Sequence, residues 1–223
     1  RLATRRYAAP PPMTDLPIAR NTALLSAALA AQGFSSLVLP ALKLEAQNLS
    51  EEQWQDPQDF DLVLFVSSSA VNFYFAALQA RGQRWPDKVL LAAVGFATAA
   101  CLRAQQGVSP EAVLHPASAD SLQDSEALWT VLEPRLAQLE RVLIVRGHSG
   151  REWLGQQLES HGIQVQRLAI YQRSPAQWSA EQGRQLRDSL QAGRLAVLLS
   201  SSQSADAIFA NAQSLGLLDV WAR

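Results

Sequence analysis

Short, nearly continuous apolar runs alternate along this chain with longer segments in which apolar residues recur at helical spacing. Because parallel strands buried on both faces read as unbroken apolar runs, these runs predict strands of parallel sheets. The predicted strands are Leu37–Leu39, Leu62–Val66, Val89–Val94, Val142–Val145, Val165–Ile170 and Leu195–Leu199.

The segments between the runs predict helices, several of which end at a glycine, the residue that most readily follows a helix. Strand–helix alternation of this kind indicates an α/β fold with parallel sheets and right-handed crossovers. The predicted helices are Asn21–Gln32, the segment around Val71–Leu78, Thr98–Gln106, Leu122–Leu139, Glu152–Ser160 and Ala205–Ala212.

One pattern occurs twice. The run Leu62–Val66 leads into the serine triplet Ser67–Ser69 and a helix, and Leu195–Leu199 leads into Ser200–Ser202 and a helix. The repetition predicts two similar lobes, each Rossmann-like or flavodoxin-like. Chance similarity is the alternative, because strand–serine–helix turns are common.

Composition narrows the class of protein. The 223 residues are 48% hydrophobic and 17% charged, with a formal net charge of -1, so no overall basic field favours nucleic acid. The single cysteine, Cys101, allows no internal disulfide and indicates a cytoplasmic protein. No apolar run reaches the roughly 18 residues that a membrane span needs.

Both serine triplets follow predicted strands, where open parallel sheets bind their ligands. Free backbone N–H groups and the positive end of a helix dipole form an anion site there. The candidate binding residues are therefore Ser67, Ser68 and Ser69 in one turn and Ser200 and Ser201 in the other. The alternative is that serine serves as a helix N-cap.

Two further turns carry candidate residues. In Gly95–Ala100, Thr98 would lie in the first helical turn, although threonine is also common there without a ligand. The turn Arg146–Glu152 contains two glycines, Gly147 and Gly150, and two arginines, Arg146 and Arg151. Arginines in such a turn suit carboxylate recognition. Arg151 and Glu152 are alternatively ordinary surface charges at a helix start.

The residue sets of common catalytic sites do not occur. Histidines 115, 148 and 161 lack metal-ligand spacing, and the chain contains no Walker A loop, no GxGxxG fingerprint and no GxSxG elbow. An enzyme with this sequence would act by binding and shaping its substrate, without a metal.

Six segments resemble the uroporphyrinogen-III synthase family. They are Leu39–Leu42, Phe65–Val71, Ala93–Ala99, Leu143–Glu152, Ala169–Gln172 and Leu198–Ser202, and the tyrosine of the family is Tyr171. Their order and spacing carry the resemblance, since no single motif is specific.

The resemblance implies two domains, residues 1–38 with 171–223 and residues 45–165, joined by a two-stranded hinge at 38–44 and 166–173. It also implies a monomer without a cofactor. In the family, a further strand, turn and helices follow the position of Arg223, and the N-terminal strand differs from Thr4-Arg5-Arg6 here.

The implied activity is the cyclisation of hydroxymethylbilane, a linear polycarboxylate tetrapyrrole, to uroporphyrinogen III with inversion of ring D and loss of water. Tyr171 would assist departure of the hydroxyl, or alternatively only pack at the hinge. The turns named above would bind carboxylates. The rival interpretation is a non-catalytic two-lobed binding protein for an anionic ligand, and a nucleotide-binding enzyme is a weaker one.

Overall fold

The computed structural model describes residues 17–116, 125–192, 196–197 and 201–221. The chain divides into two compact units, one containing Ala46–Gln172 and the other containing Ile18–Glu45 and the chain from Arg173 onward. Most of the predicted strand Leu195–Leu199, together with Ser200, lies outside the described residues.

The strands are β1 (Leu42–Ala46), β2 (Leu62–Phe65), β3 (Leu90–Ala93), β4 (Val113–Leu114), β5 (Arg141–Gly147) and β6 (Gln164–Pro175). They form one sheet with the order β1-β6-β5-β2-β3-β4. Neighbours from β6 to β4 pair in parallel, as the apolar runs predicted.

Four α-helices cover the sheet of the first unit: α2 (Ser68–Ala80), α3 (Phe96–Arg103), α4 (Ser125–Leu132) and α5 (Trp153–Ser160). All four residues of β2 are buried, which places it in the centre. Leu62 and Leu64 pack with α4 and α5, whereas Phe65 packs on aromatic rings of α2. Side chains alternate across a strand, so the two helix pairs cover opposite faces.

Short 3₁₀ turns occur at Pro57–Asp59, Pro110–Ala112 and Glu133–Gln138. The last of these shortens the helix predicted over Leu122–Leu139, because Pro134 cannot donate the hydrogen bond that an α-helix interior requires. Residues 122–124 of that prediction lie outside the described residues.

The second unit contains α1 (Pro17–Ala31), α6 (Ala180–Gln191), α7 (Ser202–Ser214) and α8 (Leu218–Trp221). The hydrophobic core of this unit contains Trp178, Leu186, Ala212 and Leu217. Helix α6 was not predicted because its residues are mostly polar, although Ser179 and Gln182 form a capping box that marks its start. The predicted parallel sheet of a second lobe is not among the elements of the described residues.

The prediction of a strand at Leu37–Leu39 was wrong. Residues 34–41 have no regular secondary structure, and the strand β1 begins only after Pro40, which has no N–H to donate to a sheet. The N–H of Gln47 donates to the carbonyl of Ile170 at 2.9 Å, and that of Ala176 donates to Ala41 at 2.9 Å. A hinge at these segments, and the predicted domain boundaries, remain predictions.

Candidate functional site

The candidate site lies where the parallel strands of the first unit end. Ser67 follows β2, Gly95 follows β3, Gly147 closes β5, and Tyr171 lies in β6 beside Gly147. Parallel strands present their carboxyl ends at the same edge of a sheet, so four separate stretches of sequence meet there.

Ser67 is the N-cap of α2. Its backbone is extended, with φ -161° and ψ 158°, and its Oγ accepts a hydrogen bond from the N–H of Ala70 at 3.1 Å. Ser68 and Ser69 occupy the first turn of the helix and are half-buried. The serine turn therefore has the helix-capping role that the alternative interpretation expected, and it also contacts the next element of the site.

Tyr171 is held on several sides. Its side chain is only 2% exposed, and its hydroxyl lies 3.2 Å from Ser67 Oγ, where either oxygen can donate. The ring stacks on Phe73, with centroids 5.5 Å apart and planes 15° apart. Its backbone carbonyl accepts a hydrogen bond from the N–H of His148 at 3.0 Å. These contacts fix the position of the phenol ring.

Gly147 makes room for that ring. The register of β5 on β6 shifts after Arg146, which pairs with Ala169, so that Gly147 stands opposite Tyr171. A Cβ built on Gly147 would lie 2.9 Å from Cζ of Tyr171 and 3.2 Å from its hydroxyl oxygen. Real Cβ atoms essentially never approach so closely, so the tyrosine position requires glycine here.

A network of charges holds the loop after β5. The side chain of Arg146 is 10% exposed, forms an ion pair with Glu152 and donates to the carbonyl of Gly150 at 3.0 Å. Glu152 also accepts from Nε of Arg167 at 2.8 Å, and Arg167 binds Glu159. Hydrogen bonds from Arg146, and secondarily Arg167, hold the pKa of Glu152 below its ordinary value of 4.5.

The other predicted residues have varied surroundings. Thr98 lies in the first turn of α3 and is 6% exposed, and Gly95 provides no side chain to cap that helix. Arg151 is 63% exposed and pairs with Glu126 at 2.7 Å. In the second unit, Ser201 is the N-cap of α7, whereas Ser200 lies outside the described residues.

Glu152 was not among the predicted site residues and was considered only in the alternative interpretation, as a surface charge at a helix start. Phe73 and Arg167 were not predicted to take part in the site. The sequence feature that could have indicated Glu152 is its position at the end of the turn that begins with Arg146 and contains two glycines. Phe73 offered no signal beyond its helical position, since its ring contact with Tyr171 joins distant parts of the chain.

Among the described residues, no group of three or more His, Cys, Asp or Glu side chains is placed to hold a metal ion. The described helices also include none with the length and apolar character required to cross a bilayer.

The fold and site thus define a parallel α/β protein with a serine–tyrosine pair at the carboxyl edge of its sheet. The model of the family described as uroporphyrinogen-III synthase HemD matches residues 23–222, and the chain belongs to this family. The resemblance found in the sequence is thereby confirmed.

Relatives in the family match part of the chain. The chain is similar to the uroporphyrinogen-III synthase of Salmonella typhimurium strain LT2, with 36% identity over 113 residues, covering 51% of this chain and 44% of the relative. The synthase of Escherichia coli K12 is 34% identical over 116 residues, with coverage of 51% and 44%. The chain spans about half the length of these curated relatives.

A solved structure supports the fold. A mutant uroporphyrinogen III synthase from the extremely thermophilic bacterium Thermus thermophilus matches with a TM-score of 0.51 and 20% identity, over 90% of this chain and 77% of that chain. At this identity the likeness concerns the fold alone, and it agrees with the predicted α/β class.

Proposed function

We propose that the protein is a uroporphyrinogen-III synthase, a hydro-lyase that converts hydroxymethylbilane into uroporphyrinogen III and water. The observation that carries the proposal is the pairing of Tyr171 with Ser67 at the carboxyl edge of the sheet, in a chain of this family. We also propose a cytoplasmic monomer that works without a cofactor.

The reaction begins when the hydroxymethyl C–O bond breaks and the hydroxyl leaves with a proton as water. The azafulvene that remains is attacked by the substituted carbon of ring D, which gives a spiro intermediate. That intermediate reopens and recloses with ring D inverted, and the proton lost on closure balances the one taken up by the leaving group. Unassisted closure gives the uninverted type I isomer, so the enzyme must control geometry.

Tyr171 is the proposed donor to the leaving hydroxyl. Because Ser67 Oγ already accepts from the N–H of Ala70, its own proton can be donated to the tyrosine oxygen. In that arrangement the phenol proton points away from Ser67. The stacking on Phe73 and the close approach of Gly147 support a fixed hydroxyl position.

Carboxylates of the substrate would be bound by local groups, since the chain has a formal net charge of -1. We assign this role to Ser68, Ser69 and Thr98, near the N-termini of α2 and α3, where helix dipoles favour anions. Arg151, Gly147, Ser200 and Ser201 take the same role by resemblance. The guanidinium of Arg146 is already bound to Glu152 and Gly150, which favours a role in holding the loop.

The test is to supply freshly made hydroxymethylbilane to the purified chain and to separate the oxidised products by isomer. Mostly type III product, formed faster than spontaneous closure, is the expected result. Type I product at the spontaneous rate would overturn the proposal. Tight tetrapyrrole binding without turnover would instead support the non-catalytic binding protein.

The role of Tyr171 is tested with Tyr171→Phe, which keeps the ring stack and removes only the hydroxyl. We expect kcat to fall by roughly tenfold or more with a smaller change in KM. The melting temperature checks that the variant is folded. An unchanged kcat would leave Tyr171 as a packing residue of β6.

A further inference from the structure

A second group of side chains lies at the far end of the same sheet edge. Phe96 is the first residue of α3, Arg103 is the last, and His115 directly follows β4. Nη2 of Arg103 lies 2.5 Å from Nε2 of His115. The His115 ring meets the ring of Phe96 edge-to-face, with centroids 6.3 Å apart. The three side chains thus form one cluster.

His115 has a polar partner at each ring nitrogen. Its Nδ1 lies 2.7 Å from the carbonyl oxygen of Pro116, and its Nε2 faces the guanidinium of Arg103. The ring therefore orients the guanidinium without bringing a negative charge to it.

None of the ion pairs between described residues involves Arg103, whereas carboxylates are paired with Arg81, Arg146, Arg151, Arg167 and Arg184. Arg135 and Arg141 likewise have no ion pair there, so what distinguishes Arg103 is its contact with His115. The planar guanidinium therefore retains N–H groups for a carboxylate. Phe96, whose ring meets the His115 ring, is 52% exposed and adds an apolar surface to the same cluster.

We propose that Arg103, oriented by His115, binds a carboxylate of the tetrapyrrole substrate while Phe96 packs against the pyrrole that carries it. This inference rests on the proposed function and names a contact that the motifs of the chain do not include. A carboxylated pyrrole needs a cation beside an aromatic or apolar surface, and the cluster offers both.

The position of the cluster determines which kinetic constant it affects. From Tyr171 on β6 to His115 after β4 there are four strand steps, roughly 19 Å at the usual spacing of strands. The cluster therefore contacts a part of the substrate remote from the leaving hydroxyl. Such a contact holds substrate and transition state equally, so its loss raises KM and leaves kcat nearly unchanged.

The experiment compares Arg103→Gln with Arg103→Lys and with the control Arg135→Gln. Arg135 lies in the 3₁₀ turn after α4, on the opposite face of the sheet, and donates to the carbonyl of Val131. Replacing Arg135 with glutamine changes the net charge by the same amount as Arg103→Gln. For Arg103→Gln we expect KM for hydroxymethylbilane to rise about tenfold, as for loss of one charge-assisted hydrogen bond, with kcat within about threefold. Lysine should restore part of the affinity, and the control should match the wild type.

A binding measurement separates this inference from the proposed function. The oxidised, polycarboxylate macrocycle is fluorescent, so its Kd is obtained without turnover. If the wild type makes no type III product, the proposed function fails, and a weaker Kd for Arg103→Gln still supports the anion site. Unchanged KM and Kd in a folded Arg103→Gln variant would overturn the inference. Should that variant not fold, Phe96→Ala replaces it, with an expected loss of affinity of about three- to tenfold and the same overturning result.

Discussion

Ser67 and Ser201 begin helices of 13 residues each, α2 in the first unit and α7 in the second. Their backbones are nearly identical, with φ/ψ of -161°/158° and -164°/161°, and each Oγ accepts from the N–H three residues ahead. Their second contacts differ. Ser67 Oγ lies 3.2 Å from the hydroxyl of Tyr171, whereas Ser201 Oγ lies 2.8 Å from the hydroxyl of Ser204 in its own helix.

The comparison separates two reasons for a serine at such a turn. Capping explains both residues without any ligand, because the first N–H groups of a helix need an acceptor. The contact with Tyr171 belongs to Ser67 and links a helix start to the candidate catalytic residue. The residue that matches Ser67 in conformation is Ser201, one position later than the repeated sequence pattern paired them.

The largest expected effect comes from Gly147→Ala. The new methyl group would lie 2.9 Å from Cζ of Tyr171, on a rigid buried ring that stacks on Phe73 and cannot easily move away. Overpacking of this kind costs about 1–3 kcal/mol of unfolding free energy. The displaced hydroxyl should also lower kcat by roughly tenfold or more. Chemical denaturation and the isomer assay measure the two effects.

Gly183→Ala is the matched control in the second unit. Its Cβ would meet Cδ1 of Leu215 at the same distance, 2.9 Å, but that atom is the end of a flexible side chain. We expect a loss of stability with kcat per folded molecule close to that of the wild type. Equal losses of kcat in the two variants would show that the Gly147 effect is general destabilisation and not displacement of Tyr171.

A smaller effect is expected from Glu152→Gln, which removes the charge paired with the well-buried guanidinium of Arg146. Glu152 itself is 44% exposed, so solvent screening limits the loss to about 1–2 kcal/mol. The loop from Gly147 to Glu152 should loosen, and kcat should fall by about threefold or more through the His148–Tyr171 contact. Denaturation and steady-state kinetics give both values.

Glu159→Gln is the control, because Glu159 is equally exposed and also binds Arg167 but makes no contact with Arg146.

The pH dependence of the unfolding free energy provides a second test of the Glu152 pairing. A lowered pKa means that the Glu152 contribution is fully present above pH 4.5 and is lost as pH falls through the folded-state value. The stability gap between wild type and Glu152→Gln should therefore narrow below about pH 4.5; a gap that is constant with pH would contradict the pairing.

The sequence pattern was sufficient for the parts of the fold that rest on local hydrophobicity. The strands at Leu62, Leu90 and Arg141 and the helix after Ser67 were predictable because their apolar spacing is regular. Helix α6 was not, since its packing depends on a few residues such as Leu186 within a polar segment.

The motifs also identified Ser67, Gly147 and Tyr171 as candidates, but they could not show that the three residues touch. That contact depends on the register shift after Arg146, a feature of the pairing of two distant strands. The orientation of Arg146 toward Glu152 likewise depends on tertiary packing.

The smallest and most specific prediction compares Ser67→Ala with Ser201→Ala. Each removes one N-cap and should cost about 1 kcal/mol of unfolding free energy. Only Ser67→Ala also removes the hydrogen bond to Tyr171, so its kcat should fall by about threefold or more, whereas Ser201→Ala should act mainly on KM. In a Tyr171→Phe background the loss of kcat from Ser67→Ala should nearly vanish, because the partner hydroxyl is already absent. Equal effects of Ser67→Ala in both backgrounds would mean that Ser67 does not act through Tyr171 and that the two serine turns are equivalent after all.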